Sequence, residues 1–384
     1  MTAVDPAAGD RPATLDELGG EHCETASLRK MLHHAGLDID EALLLGLGGG
    51  IGFMYAAPTD QFPGFVGGRN GPFPAFTQRM LDGVGLQAGI VTTDDPARAE
   101  SELISRLATG DPAVCYGDLF YLPYFQASRH FGAHAFVVTS VTPQTRTATV
   151  SDRCRIALSV GLDDLAAARG SGHQPFPPRH AVLSADWTQA RPPGPETVRE
   201  RIRGTAAALR APAPSVGLAG LRAMVTDLVG AASHEPAPQL VDRLTSTFID
   251  LELAGTGGAA FRSLYCTFLA HAAEITADRV LVDAHDCART LVTIWGAALD
   301  ALLPRTGALG AVRTALVDRE AAWLAGAADD HVRARNIAAQ LPSLKQLTAM
   351  EINAHREDIA AAIRDRFTAV INQEHELLAL LGRV

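Results

Sequence analysis

At 384 residues the chain exceeds what a single hydrophobic core ordinarily supports and suits two domains. Its composition, 47% apolar and 20% charged, is that of a globular protein and excludes bulk disorder. The net charge is -10, lysine occurs only at Lys30 and Lys345, and the arginines are scattered, so no nucleic-acid partner is expected.

The five cysteines, Cys23, Cys115, Cys154, Cys266 and Cys287, show no paired metal-ligand spacing and read as reduced thiols, with no metal expected. The opening MTAVDPAAGDRPATLDELGG has no basic segment followed by an apolar run, and no stretch approaches about 18 uninterrupted apolar residues. Neither a signal peptide nor a membrane span is therefore expected, and the predicted location is the cytoplasm.

In chain order, Ala26, Leu28, Met31, Leu32 and Ala35 stand near helical spacing over 23–35, and Gly36 is a natural stop. A short helix is predicted over 40–47. GLGGGIGFMY (46–55) then leads into a stretch with Gly and Pro throughout, up to residue 73, that reads as loop. Helices are predicted over 74–84 and 96–108. Strand character follows at AVCYGDL (113–119), HAFVVTSV (134–141), TRTATVSD (145–152) and HAVLSADW (180–187), the second and third joined by TPQ as a hairpin. A helix followed by a run of strands predicts an α+β domain with an antiparallel sheet over 1–190.

ARPPGPE (190–196) cannot continue a helix or a central strand and marks a boundary. Beyond it, Ala/Leu/Arg-rich stretches at 239–253, 260–276, 281–303 and 348–382 predict an all-helical domain over 197–384. In the last of these, Ile352, Ile359, Ile363, Phe367, Val370 and Ile371 repeat at three, four and seven as one apolar stripe.

The chemistry centres on GGEHCETASLRKMLHHAGL (19–37), where Cys23 opens a helix. A helix N-terminus presents unpaired N–H groups and partial positive charge, both of which favour thiolate, and Gly19 and Gly20 let the incoming backbone approach closely. A buried structural thiol and a metal ligand are the competing readings. A nucleophilic thiol needs a base, and the base needs an orienting group. His134 starts one strand and Asp152 ends the next, so an antiparallel hairpin brings them side by side. His130, four residues earlier, is a rival base, and Asp152 also suits a turn. Cys115 and Cys154 read as packing residues.

His22 is placed to contact substrate or polarise the thiol. GLGGGIG (46–52) lacks a preceding strand for a dinucleotide loop and reads as a substrate-lining loop, through Gly49 and Gly50. DLFYLPYF (118–125), with Tyr121 and Tyr124, either walls a pocket or joins the core. GTGGAAFRSLY (255–265) suits a turn before a new helix, with Arg262 as an anion contact or a salt-bridged arginine.

HCETASLRKMLHHAGLDIDEALLLGLGGGIGFMY, PAVCYGDLFYLPY and HFGAHAFVVTSV with VSDR together resemble the amino-terminal domain of the butirosin-biosynthesis H protein family, and GLAGLRAMVTDL through GTGGAAFRSLYCTFLAHAA resembles the helical domain that follows it. The resemblance spans about residues 15–380. It implies a papain-like cysteine fold and an acyltransferase that takes an acyl group from the phosphopantetheine thioester of an acyl carrier protein to an amine of a small-molecule acceptor. Cys23, His134 and Asp152 match the catalytic positions, and no cofactor is implied beyond the phosphopantetheine carried by the partner. The glutamine that papain-like enzymes place before the cysteine has no counterpart in Gly19-Gly20-Glu21-His22, so His22 or backbone N–H groups take that part. A cysteine peptidase or amidase, a thioester cyclase or hydrolase, and a non-catalytic binding protein are the alternatives. The helical domain is expected to cover the cleft, to receive the acidic carrier through arginines in ETVRERIRGTAAALR (196–210), or to form a homodimer interface.

Overall fold

The computed structural model describes residues 14–59, 62 and 64–384. In chain order the elements are α1 Cys23–His34, α2 Glu41–Leu47, β1 Ile51–Ala56, β2 Phe65–Arg69, α3 Ala75–Gly83, β3 Ala88–Val91, α4 Pro96–Ala108, β4 Ala113–Gly117, β5 His134–Thr142, β6 Thr147–Ser151, β7 Ala157–Gly161, α5 Leu162–Gly170 and β8 Val182–Ala185. Helices then follow: α6 Pro195–Leu209, α7 Gly217–His234, α8 Ala237–Phe248, α9 Arg262–Thr276, α10 Arg279–Leu302, α11 Gly307–Ala325, α12 Ala328–Glu351 and α13 Arg356–Leu381. The fold class is α+β with antiparallel strands in the amino-terminal region and helices beyond, as the sequence implied.

Contacts divide the chain into two compact units, one of residues up to His34 and Thr93–Ala181, the other of Ala35–Thr92 and Val182–Val384. This differs from a continuous papain-like 1–190 followed by a helical 197–384. Segment 35–92 groups with the later helices because its glycines admit their side chains. A Cβ on Gly46 would lie 2.1 Å from the Phe268 ring, and one on Gly50 would lie 2.4 Å from Tyr265. A boundary sought in composition cannot register such a return.

In the first unit β4, β5, β6 and β7 form consecutive antiparallel pairs. The inner strands are apolar and β-branched: Ala135, Phe136, Val137 and Val138 of β5 are all fully buried. α1 packs on β5 and β4 through Leu28, Met31 and Leu32, and α4 packs on the same two strands. α4 begins as a capped helix should, with Pro96 at its first position and the Asp95 carboxylate accepting from the N–H groups of Ala97 and Arg98. Register places Gly117 opposite His134 and Ser151 opposite Val137, with a shift between Val138 and Ser140 that bends the β5–β6 hairpin. The predicted strands at 113–119, 134–141 and 145–152 are present in slightly altered form. β7 and α5 were not anticipated, since neither ALSVG nor LDDLAAARG carries a strong periodic apolar pattern.

In the second unit β1 pairs antiparallel with β2, and β3 with β8. Strand β2 lies in the stretch read as loop; its two glycines weaken the strand signal, and the ribbon is anchored by residues far along the chain. The guanidinium of Arg262, fully buried, donates through Nη1 to the carbonyls of Gly52, Gly68 and Ala260 and through Nε to Glu374 at 2.7 Å. Trp295 Nε1 donates to the same Glu374 oxygen at 3.1 Å. Arg262 is therefore the salt-bridged arginine of the two readings. The turn before it runs through three left-handed residues, Ala259, Ala260 and Phe261, with φ of 51, 50 and 71°. Gly68 is required opposite them, because a Cβ there would sit 2.7 Å from the Ala260 oxygen. The predicted helix over 239–253 changes to π-type winding at Ile249–Leu253. Among the described residues no helix is long and apolar enough to cross a membrane.

Removing one member of the Arg262–Glu374 pair leaves a buried charge without its partner, so Glu374→Ala should cost about 3–5 kcal/mol. Breaking the exposed Lys345–Asp242 pair by Lys345→Ala should cost less than about 1 kcal/mol. Chemical denaturation of both variants measures the contrast.

Candidate active site

Cys23 is the first residue of α1, whose first intrahelical bond runs from the Ala26 N–H to the His22 carbonyl at 2.8 Å. The segment before it is fastened to the end of β6: the Gly20 N–H donates to the Arg153 carbonyl at 2.8 Å, and Arg153 Nη1 donates to the Glu21 carbonyl at 2.9 Å. Gly19 has to be glycine for this approach, since a Cβ would stand 2.9 Å from Arg155 Cγ and 3.2 Å from the Arg153 oxygen. Seven residues into the helix, on the same face as Cys23, the buried Lys30 ammonium donates to Ser151 Oγ at 2.8 Å and to the Asp152 carbonyl. Helix and hairpin are thus tied on both sides of Asp152.

His134 Nε2 and Asp152 Oδ2 are 2.7 Å apart, and both side chains are buried. The Cys23 thiol lies within side-chain hydrogen-bonding reach of the His134 ring. Tyr124 Oη donates to the same carboxylate oxygen at 2.8 Å, and the Arg153 N–H donates to the other at 2.7 Å. Phe125 meets the His134 ring edge-on at 4.9 Å. Of the two rival bases, His134 therefore stands beside the thiol and the carboxylate. His130 is bound instead to Asp118, through Nδ1 at 2.8 Å.

Burial pushes the His134 imidazolium towards deprotonation, but the charge and hydrogen bond of Asp152, with a smaller contribution from Cys23, outweigh it and bring the pKa up to about 9. Burial would raise Asp152; the His134 charge and hydrogen bond, with help from Arg153, hold it below the usual carboxylate range. The pair is an imidazolium–carboxylate at neutral pH. Burial pushes the thiols of Cys115, Cys154, Cys266 and Cys287 upward, Cys154 to about 11. Cys23 is partly exposed and opens a helix beside the imidazole, the position of a thiol that can meet a substrate.

The remaining predicted site residues fall in different places. His22 is buried, with Nδ1 turned 3.4 Å from Thr25 Oγ1 at the start of α1. Tyr124 supports the carboxylate, and Tyr121 lies against the rings of His130 and His173. Gly49 and Gly50 belong to the second unit: the Gly49 carbonyl accepts from Thr205 Oγ1 at 2.7 Å, and a Cβ on Gly49 would crowd the Arg79 guanidinium. The α6 arginines of segment 196–210 are largely committed, Arg199 and Arg203 to Glu196 and Arg201 to Glu200. Lys30 is the positioning residue that sequence reasoning passed over. Its signal was available, since it is one of two lysines and lies two helical turns from Cys23. Among the described residues no cluster of His, Cys, Asp and Glu is arranged to hold a metal.

A helix-borne thiol facing a hairpin-borne imidazole and carboxylate is the arrangement of papain-like cysteine proteins. The profile of Butirosin biosynthesis protein H, N-terminal, matches residues 22–153, a span that begins one residue before Cys23 and ends one residue after Asp152. A Domain of unknown function (DUF4872) matches residues 163–305. That succession matches the architecture of the butirosin biosynthesis H family. Comparison with curated proteins gives no match.

His134, with a folded pKa near 9 against 6.5 for the free side chain, stabilises the fold fully below about pH 6.5 and loses that contribution as pH rises through about 9. Asp152 works in the opposite direction, its contribution lost on acidification. Asp152→Asn removes the charge that raises His134, so the decline in stability of the wild-type protein between pH 6.5 and 9 should flatten in the variant. Denaturation midpoints across that window test this, and an unchanged decline contradicts it.

Proposed function

We propose that the chain is a cysteine-dependent acyltransferase of specialised-metabolite biosynthesis, moving an acyl group from the phosphopantetheine thioester of an acyl carrier protein through Cys23 to an amine acceptor. The observation that carries the reading is the buried His134–Asp152 pair, 2.7 Å apart, with the Cys23 thiol beside the ring. The match to the butirosin biosynthesis H amino-terminal model supports a biosynthetic enzyme and a transferase.

The thiolate of Cys23 attacks the thioester carbonyl, forming a new C–S bond. A helix N-terminus lies at the attacking atom, and among the described residues the Cys23 N–H has no hydrogen-bond partner, which leaves it to stabilise the oxyanion. The tetrahedral intermediate then expels the pantetheine thiolate, which takes the proton held on His134 and leaves as a thiol. Exchange of one thioester for another is nearly balanced in energy, so loading needs orientation and proton transfer rather than a strong driving force. The acceptor amine next attacks the acyl-enzyme; His134 takes a proton from nitrogen and returns it to sulfur as the C–S bond breaks. Amide formation makes that second step downhill. Asp152, held by Tyr124 and the Arg153 N–H, keeps the ring in the orientation both steps use.

Incubation with an acyl-pantetheine thioester should add one acyl mass to the intact chain, mapped to Cys23 by peptide fragmentation. Cys23→Ala should carry no adduct, and His134→Ala should load about 10²–10⁴-fold more slowly. A wild-type chain that ignores the thioester while cleaving a peptide amide would instead be a peptidase.

A further inference from the structure

Asp118 follows directly on Gly117, which is paired with His134 across β4 and β5. Its carboxylate is entirely buried and accepts four hydrogen bonds: from Ser171 Oγ at 2.7 Å, from the N–H groups of Phe131 at 2.9 Å and Phe120 at 3.1 Å, and from His130 Nδ1 at 2.8 Å. Burial pushes this carboxyl up, yet those bonds hold it below its ordinary range, so it is ionised. The His130 ring is clamped between His173, stacked at 3.4 Å and 10°, and Phe120 at 4.2 Å. Its side chain keeps 27% of its surface, and among the described residues Nε2 has no hydrogen-bond partner. A buried carboxylate fixing one imidazole nitrogen while the other is left accessible is the construction of an acid–base dyad. The loop that carries it, from 118 to 133, also carries Tyr124 and Phe125 against the first dyad.

After Cys23 is acylated and pantetheine has left as a thiol, His134 is neutral. An aliphatic amine arrives at neutral pH as RNH3+, which has no lone pair. One proton must leave before nitrogen can attack, and another must leave as the amide forms. His134 takes the second and returns it to the Cys23 sulfur when the C–S bond breaks. The triad has no acceptor for the first.

We propose that His130, oriented by Asp118, is the base that deprotonates the ammonium form of the acceptor. His130 Nε2 accepts the proton, the amine lone pair forms the N–C bond, and the imidazolium returns its proton to water. The exposed face of Phe120, 45% accessible, and the ring of Tyr121 beside it offer an organic cation the aromatic surface it prefers. The titratable groups packed against His130 are Asp118, His173 and Tyr121.

This inference rests on the acyl-enzyme reading, and a two-stage experiment separates them. Cys23 is first loaded with an acyl-pantetheine thioester, and the acyl-enzyme is then chased either with a primary alkylamine or with hydroxylamine, which is already neutral at pH 7. In His130→Gln, loading and the hydroxylamine chase should match wild type, while the alkylamine chase at pH 7 should fall about 10²-fold. That deficit should close as pH approaches the pKa of the alkylamine itself. Asp118→Asn, which keeps the side-chain shape, should give the same pattern. An unchanged alkylamine chase, an equal loss with both nucleophiles, or a variant that no longer loads would each overturn the role. Failure of the wild-type chain to load at all refutes the acyl-enzyme reading and this inference with it.

Discussion

A charged imidazole and a carboxylate, both withdrawn from water, are tolerable only as partners, and His134 and Asp152 meet that condition at 2.7 Å. The hairpin supplies the geometry. His134 opens β5 and Asp152 follows the last residue of β6, so pairing of the two strands sets the ring beside the carboxylate without help from the loops. What surrounds them follows from the cost of burying charge. Tyr124 and the Arg153 N–H fill the remaining acceptor sites of Asp152, and Lys30 binds its carbonyl. α1 is thereby fixed at the hairpin end, and the thiol at its first residue falls beside the ring.

Much of this geometry was legible because it depends on period and register. The alternation in HAFVVTSV and TRTATVSD specifies two strands, and two strands joined by a short turn specify which ends meet. Choosing between His130 and His134 was beyond spacing alone, since one lies four residues before the strand that the other opens. The choice is made by Asp118 and Asp152, which accept from one histidine each and sit 34 residues apart in number but at one end of the sheet. Lys30 went unremarked because its role needs a three-dimensional partner, the β6 end, although its two-turn spacing from Cys23 placed it on the correct face.

The ribbon of β1 and β2 was illegible for a different reason. Its glycines carry no apolar pattern and are there so that other residues can approach: Gly68 admits the Ala260 backbone, and Gly50 admits Tyr265. The Arg262 guanidinium then ties the carbonyls of Gly52 and Gly68 to Glu374, which is 112 residues further along the chain from Arg262. No local window contains such an interaction, so neither the ribbon nor the grouping of 35–92 with the later helices can be read from composition. The same packing accounts for Gly49 and Gly50, whose surroundings in the second unit are Arg79, Asn70, Thr205 and Tyr265.

Groups that act as one unit lose function together, so their substitutions do not add. The rate at which an acyl-pantetheine thioester loads Cys23 should therefore be measured in His134→Ala, in Asp152→Asn and in the double variant. If the carboxylate works only by orienting and charging the ring, the double variant should load no more slowly than His134→Ala alone. Independent, multiplicative losses from the two substitutions would contradict a single Cys23–His134–Asp152 relay.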